Sequence, residues 1–248
     1  MSAKPVLILQ LRPEDEAADR EYDAFLRKSG LPDSRAERIR LDQTPDVSGL
    51  ALDDYSAIIV GGGPGCVSDD PATKDPVEAE IEASILSLMP EICARDVPFL
   101  GCCYGIGVLA HHLGARVSKD AYGEGIGAVD CTVTQDGASD PMLDGIPARF
   151  DALVGHKEAV QALPPGTVHL VASAPCPFQM IRYGQNVYAT QFHPEADGEE
   201  FAARIRIYRN KGYFAPDDAD RLTARVLAEK IHAPEVILRN FVARYAGI

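Results

Sequence analysis

Two short stretches carry residue types that do chemistry together. The first is Phe99-Leu-Gly-Cys-Cys-Tyr-Gly-Ile-Gly107, where Cys103 stands at the apex of a turn bounded by Gly101 and Gly105. Small residues at those positions tolerate unusual dihedrals and close backbone approach, the requirements of a nucleophile elbow between a strand and a helix. A cysteine at a helix start also meets unpaired N–H groups and the positive end of the helix dipole, which favour a thiolate. The second stretch is Gln191-Phe-His-Pro-Glu195. A cysteine nucleophile needs a base, and that base needs a group to orient its ring. His193 and Glu195 are two residues apart just past an expected strand, so an extended backbone directs both to one side, and Pro194 stiffens the link.

The elements that must position these groups follow from the hydrophobic pattern. Pro5–Leu11 is a continuous apolar run suited to a doubly buried strand. An acidic helix is expected over about 14–29, with Ala17, Tyr22, Phe25 and Leu26 inward, then a strand near 38–41 and a better one over 54–60. That last strand runs into Gly61-Gly-Gly-Pro-Gly65. A helix over about 75–93 places Val77, Ile81, Ile85, Leu88, Met89 and Ile92 at helical spacing. The elbow strand is expected over 97–100 and its helix from 106 to 113. Alternating strands and helices predict an α/β domain with an open, mostly parallel central sheet and helices on both faces. In such sheets sites form at the carboxyl ends of strands, where both glycine turns fall. After Leu113, β-prone runs at 127–134, 148–154, 167–172, 178–183 and 186–191 suggest a small antiparallel portion, with Tyr183-Gly184-Gln185 as a hairpin turn. Helices over about 199–211, 217–231 and 235–245 close the chain. The domain is expected over 1–212, with 213–248 a helical extension whose apolar faces pack on it.

Composition narrows the function. The 248 residues carry 24 Lys and Arg against 37 Asp and Glu, a net −13, which disfavours nucleic acid or an anionic membrane as partner. No apolar run reaches membrane-spanning length. The six cysteines, Cys66, Cys93, Cys102, Cys103, Cys131 and Cys176, form no CxxC pair and read as free thiols of a cytoplasmic protein. The histidines show no metal-ligand spacing, so no metal or cofactor is expected. Gly61–Gly65 taken alone is compatible with a plain loop or a phosphate cradle, but lacks the Lys-Ser/Thr of a P-loop. Cys102 should face away from the elbow as buried packing, and His111 and His112 read as non-catalytic.

Gly101-Cys-Cys-Tyr-Gly105, Gly62-Gly-Pro64 and Gln191-Phe-His-Pro-Glu195, in that order and spacing, resemble a class I (triad) glutamine amidotransferase, in particular the amidotransferase domain of GMP synthetase and its stand-alone homologues. The resemblance covers roughly residues 50–200. It implies a three-layer α/β fold, glutamine hydrolysis through a γ-glutamyl thioester, and ammonia released to a separate synthetase. It also implies roles: Cys103 as nucleophile, His193 as base and acid, Glu195 as orienting carboxylate. The Gly63 and Tyr104 N–H groups would form the oxyanion hole, a device worth about 10²–10³ in rate. Gly65 would lie against the glutamine backbone, and Gly155-His156-Lys157 would line the pocket.

Two positions depart from the family pattern. Gly107 stands where Gln is usual, and Lys157 where Gly is frequent. Lys157 could pair with an α-carboxylate, and a vacated position 107 could leave room for a modified γ-glutamyl compound. Three functions therefore stand: a glutaminase or amidotransferase, a γ-glutamyl hydrolase or peptidase with the same triad, and a non-catalytic binding module. A homodimer is a further possible assembly.

Overall fold

The computed structural model describes residues 4–248. In chain order the elements are β1 (Val6–Gln10), α1 (Asp15–Ser29), β2 (Ala36–Arg40), β3 (Ala57–Val60), α2 (Pro76–Arg95), β4 (Phe99–Cys102), α3 (Tyr104–His112), β5 (Val117–Ser118), β6 (Glu124–Val133), β7 (Arg149–His156), β8 (Ala159–Val160), β9 (Thr167–Ser173), β10 (Met180–Tyr183), β11 (Val187–Thr190), α4 (Gly198–Ile207), α5 (Ala219–Ala228) and α6 (Ala233–Ala246). Nine strands form one sheet in the order β2-β1-β3-β4-β11-β10-β9-β6-β7, and β5 pairs with β8 separately. From β2 to β11 every neighbour is parallel. From β11 to β7 every neighbour is antiparallel.

The antiparallel runs are therefore continuous with the parallel sheet. β11 joins the two parts, pairing parallel to β4 on one side and as a hairpin with β10 on the other. Gly184 turns that hairpin at φ +58°. Asp96 fastens it from across the sheet, accepting the Gln185 and Asn186 N–H groups at 3.0 Å.

Strand alternation divides the core. Leu7 and Leu9 face α2 and α3, joining Ile81, Ile85, Met89, Ile106 and Leu109 in one cluster. Val6 and Ile8 face α1 and α6, with Phe25, Leu238, Phe241 and Val242. Burial on both faces is why β1 is apolar throughout. A third cluster lies between α4, α5 and the far strands, built on Leu153, Phe201, Ile205, Leu222 and Val226. Past residue 212, α6 thus shares a core with the first strand.

Several boundaries differ from expectation. Residues 52–54 form a 3-10 turn, so the strand begins only at Ala57. Val77 is 41% exposed at the start of α2, one turn before the stripe begins to face the sheet. The elbow strand reaches Cys102 and its helix starts at Tyr104, so both Gly101 and Gly105 lie inside regular elements. Cys103 alone makes the turn, at φ +54° and ψ −90°.

Phe241 is fully buried among α1, α6 and sheet residues. Phe241→Ala should cost about 3–5 kcal/mol in urea unfolding, in one cooperative transition. A loss under about 1 kcal/mol would show that α6 is only loosely applied to the domain.

Candidate active site

Why the two chemical stretches meet is a matter of register. β4 and β11 are parallel neighbours with Cys102 opposite Thr190, and the Cys103 N–H donates to the Thr190 carbonyl at 2.7 Å. One chain therefore turns up into Cys103 while the other runs on through Gln191 and Phe192 to His193 at the same sheet edge. The His193 N–H donates to the Leu153 carbonyl at 3.1 Å, tying the segment to β7. Gly101 and Gly105 allow the sharp reversal: a Cβ on Gly101 would stand 3.0 Å from the Gly105 backbone. The φ of Cys103 is a strained value for a non-glycine residue, a cost of order 1–3 kcal/mol met by the surrounding packing.

Cys103 and His193 line one cavity. Both approach the same point above Gly62, where an added Cβ would lie 2.8 Å from His193 Cε1 and 3.6 Å from Cys103 Cβ. His193 Nδ1 is 2.7 Å from Glu195 Oε1. Burial would raise the Glu195 pKa, but His193 and Arg204 overcome it and hold the carboxyl below its usual range. An ionised carboxylate only accepts, so Nδ1 carries the proton and Nε2 presents its lone pair. Burial lowers the His193 pKa; Glu195 opposes this, and Arg204 and Arg12 add to it. The imidazole is thus kept neutral, in the form that accepts a proton.

The thiol behaves otherwise than its place at a helix start suggests. Burial pushes Cys103 up to about 12, outweighing the nearby Arg12 and Arg204 cations. Cys102 is fully buried beneath. His111 is exposed and His112 half-buried.

A second cavity meets the same thiol. Gly63, Gly65, Cys103, Tyr104, Gly107, Gly155, His156 and Lys157 all line it. Glu195 lies behind the imidazole, fully buried.

A family model for class-I glutamine amidotransferases matches residues 33–208. The chain belongs to that family. It is 32% identical over 155 residues to GMP synthase [glutamine-hydrolyzing] of Thermosipho melanesiensis, covering 60% of this chain and 26% of that protein. It is 29% identical over 188 residues to the Lactobacillus delbrueckii subsp. bulgaricus protein of the same name, covering 73% and 33%. The chain thus spans only about a quarter to a third of those relatives. A glutamine amidotransferase of Thermotoga maritima superposes with TM-score 0.74 at 21% identity, covering 98% of this chain and 99% of that one. A glutamine amido transferase of Methylobacillus flagellatus gives 0.70 at 21%, covering 97% and 95%. These two likenesses show the fold.

The site also holds charged groups that sequence reasoning passed over. Arg204 Nη2 donates to Glu195 Oε1 at 2.8 Å, and its Nη1 lies 3.0 Å from His193 Nδ1. Arg12 donates to Glu21 at 2.8 Å, and Glu21 accepts the Gly62 N–H at 3.2 Å. The signal was a mismatch of pattern. Glu21 sits among Ala17, Ala24 and Phe25 on the buried stripe of α1. Arg204 sits one turn from Phe201 on that of α4, and Arg12 directly follows an apolar strand.

The room expected above Gly107 is taken. A Cβ there would lie 3.2 Å from Glu158 Oε1, and that carboxylate accepts the Val67 and Ser68 N–H groups at 2.9 Å each. The Lys157 ammonium stands 3.9 Å from the centre of the Tyr213 ring. His156 lines the cavity and is also hydrogen-bonded on both ring nitrogens, to the Glu158 carbonyl and to Glu124, each at 2.8 Å.

Gly62→Ala places a methyl where the imidazole and Arg12 stand. It should lower kcat by about 10² with the fold intact by circular dichroism; a normal kcat would mean the ring has space to move. Arg204→Gln removes a cation that opposes protonation of His193. The ring then keeps its proton to higher pH, so the acid limb of kcat/KM should move upward, while Arg204→Lys leaves it in place. A limb unmoved in both variants would exclude this role.

Proposed function

We propose that the protein hydrolyses the γ-amide of glutamine, with Cys103 as nucleophile, His193 as base and acid, and Glu195 as the carboxylate that orients the ring. The observation that carries this is the neutral His193, fixed on Glu195 at 2.7 Å, in a cavity shared with the elbow thiol. The raised thiol pKa means that the resting pair is uncharged. As Sγ attacks the γ-carbonyl, its proton passes to Nε2, so charge develops only during reaction. The oxyanion would then accept from the Gly63 and Tyr104 N–H groups. Collapse expels ammonia with the proton returned by His193, leaving a γ-glutamyl thioester. Water, deprotonated by the same ring, releases glutamate.

In the second cavity the substrate backbone would lie against Gly65, Gly155 and His156, with the Lys157 ammonium facing its α-carboxylate. The likeness to glutamine-hydrolyzing GMP synthases supports a synthetase as consumer of the ammonia. No helix among the described residues is long and apolar enough to cross a membrane. All six cysteines are free, which suits a reducing cytoplasm.

One observation favours a bulkier leaving group. The cavity holding Cys103 and His193 continues to Ile126, Phe201, Tyr208 and Tyr213, an apolar and aromatic wall unneeded for ammonia. A γ-glutamyl peptide or conjugate would use it.

Ammonia release from glutamine should fall by about 10⁴ or more in Cys103→Ala. Amine release from γ-glutamyl peptides, measured beside it, decides the substrate. Turnover unchanged by the substitution would remove Cys103 from the chemistry.

A further inference from the structure

Behind the second cavity, three segments bring together donors that the amide chemistry does not use. Glu124 opens β6, His156 ends β7 opposite it, and Cys176 lies in the turn between β9 and β10. A carboxylate oxygen of Glu124, a ring nitrogen of His156 and the Cys176 sulfur all lie within 4.8 Å of one another. We propose that Glu124, His156 and Cys176 form a zinc site.

The first argument is the imidazole's proton. His156 Nδ1 is 2.8 Å from the Glu158 carbonyl oxygen, which can only accept, so Nδ1 carries hydrogen. Nε2 then faces Glu124 Oε2 at 2.8 Å. In a neutral ring this sets a lone pair against a carboxylate lone pair, so the pair needs either a shared proton or a metal ion between them. A backbone carbonyl on the far nitrogen is the usual partner of a metal-bound histidine.

The second argument is the company these groups keep. A thiol adds little to an imidazolium–carboxylate pair, yet is a strong zinc donor as thiolate. Gln179, also fully buried, donates from Nε2 to Glu124 Oε2 at 2.7 Å and to Ser173 Oγ at 3.0 Å. Its Oε1 is buried without a partner. One nitrogen, one sulfur and a carboxylate oxygen suit zinc at about 2.0–2.3 Å; the sulfur would move in and the His156–Glu124 pair would open to admit the ion. An open cleft lined by Gly123, Glu124, Gly125 and His156 gives the ion a way in.

The site is structural. The ion would displace the Cys176 proton to solvent and cross-link the ends of β6 and β7 to the β9–β10 turn. Through His156 it would stiffen Glu158, which clamps the loop at 67–68 over the pocket.

Metal-stripped protein is titrated with zinc chloride by calorimetry and with cobalt chloride by absorption. The Cys103→Ala background removes the competing thiol of the catalytic cavity. One zinc per chain and a cobalt–thiolate charge-transfer band are expected in both wild type and Cys103→Ala. Cys176→Ser should lose the band and weaken zinc by more than about 10²-fold, beyond the usual effect of an outer partner. Glu124→Gln, which preserves shape, should weaken it similarly, so the outcome does not hang on one variant folding. A Cys103→Ala protein that binds no stoichiometric zinc, or a cobalt band that survives Cys176→Ser, overturns the site and leaves an ion pair. Neither result bears on glutamine hydrolysis, which Cys103→Ala tests separately.

Discussion

The parallel pairing of β4 with β11 is the constraint on which the site depends. Cys103 and His193 are 90 positions apart in sequence, yet they leave adjacent strands at one edge because Cys102 is opposite Thr190 and the Cys103 N–H is bonded to Thr190. A one-residue slip would turn every side chain of β11 to the other face. Register is protected by burial: Val187, Tyr188, Ala189 and Thr190 are essentially inaccessible, and alternate residues fill opposite cores. The hairpin to β10, fastened by Asp96, fixes the start of the strand. The geometry of the thiol and the imidazole is thereby set by the best-buried part of the molecule rather than by loops.

Around that edge lies a compact set of buried charges. Two guanidiniums, Arg12 and Arg204, meet two carboxylates, Glu21 and Glu195, with the neutral imidazole between. Such groups cost several kcal/mol each to desolvate and add little net stability. Their value here is directional. Arg204 both stabilises ionised Glu195 and opposes an imidazolium, so the carboxylate orients the ring without drawing a proton onto it at rest. Glu21 holds the Gly62 N–H in the turn after β3, beside the thiol. The same residues that position the thiol and the imidazole thus also set their protonation.

The sequence showed the parts that obey simple periodicity. Strand–helix alternation gave the layers, and the glycine-bounded cysteine gave the elbow. It located the elbow imperfectly, because a strained φ at Cys103 lets one residue do the work of a longer turn. It placed the last strand in an antiparallel portion, as its hairpin with β10 has it, but local pattern cannot reveal that β11 also pairs parallel to β4. Arg12, Glu21 and Arg204 escaped for a related reason. Each is a charge on an otherwise apolar stripe, and a single such residue reads as an interruption until its opposite charge is brought to it in space.

Position 107 shows how a local rule can fail in the other direction. Removing a side chain from a helix beside a pocket suggests a void, but interiors are close-packed and a neighbour with unsatisfied bonding capacity fills such space. Here the neighbour is Glu158, directly after the pocket-lining His156 and Lys157, and its carboxylate enters because the Val67 and Ser68 N–H groups offer it two bonds. The pocket gains a buried anion, among the described residues free of any ion-pair partner within 4 Å, beside the Lys157 cation. A ligand bearing both an ammonium and a carboxylate would compensate both charges at once, whereas a neutral amide side chain at position 107 could pair with neither. On the proposed function, the shift from a contact on α3 to one after β7 would alter the kind of recognition, from amide hydrogen bonding to charge matching.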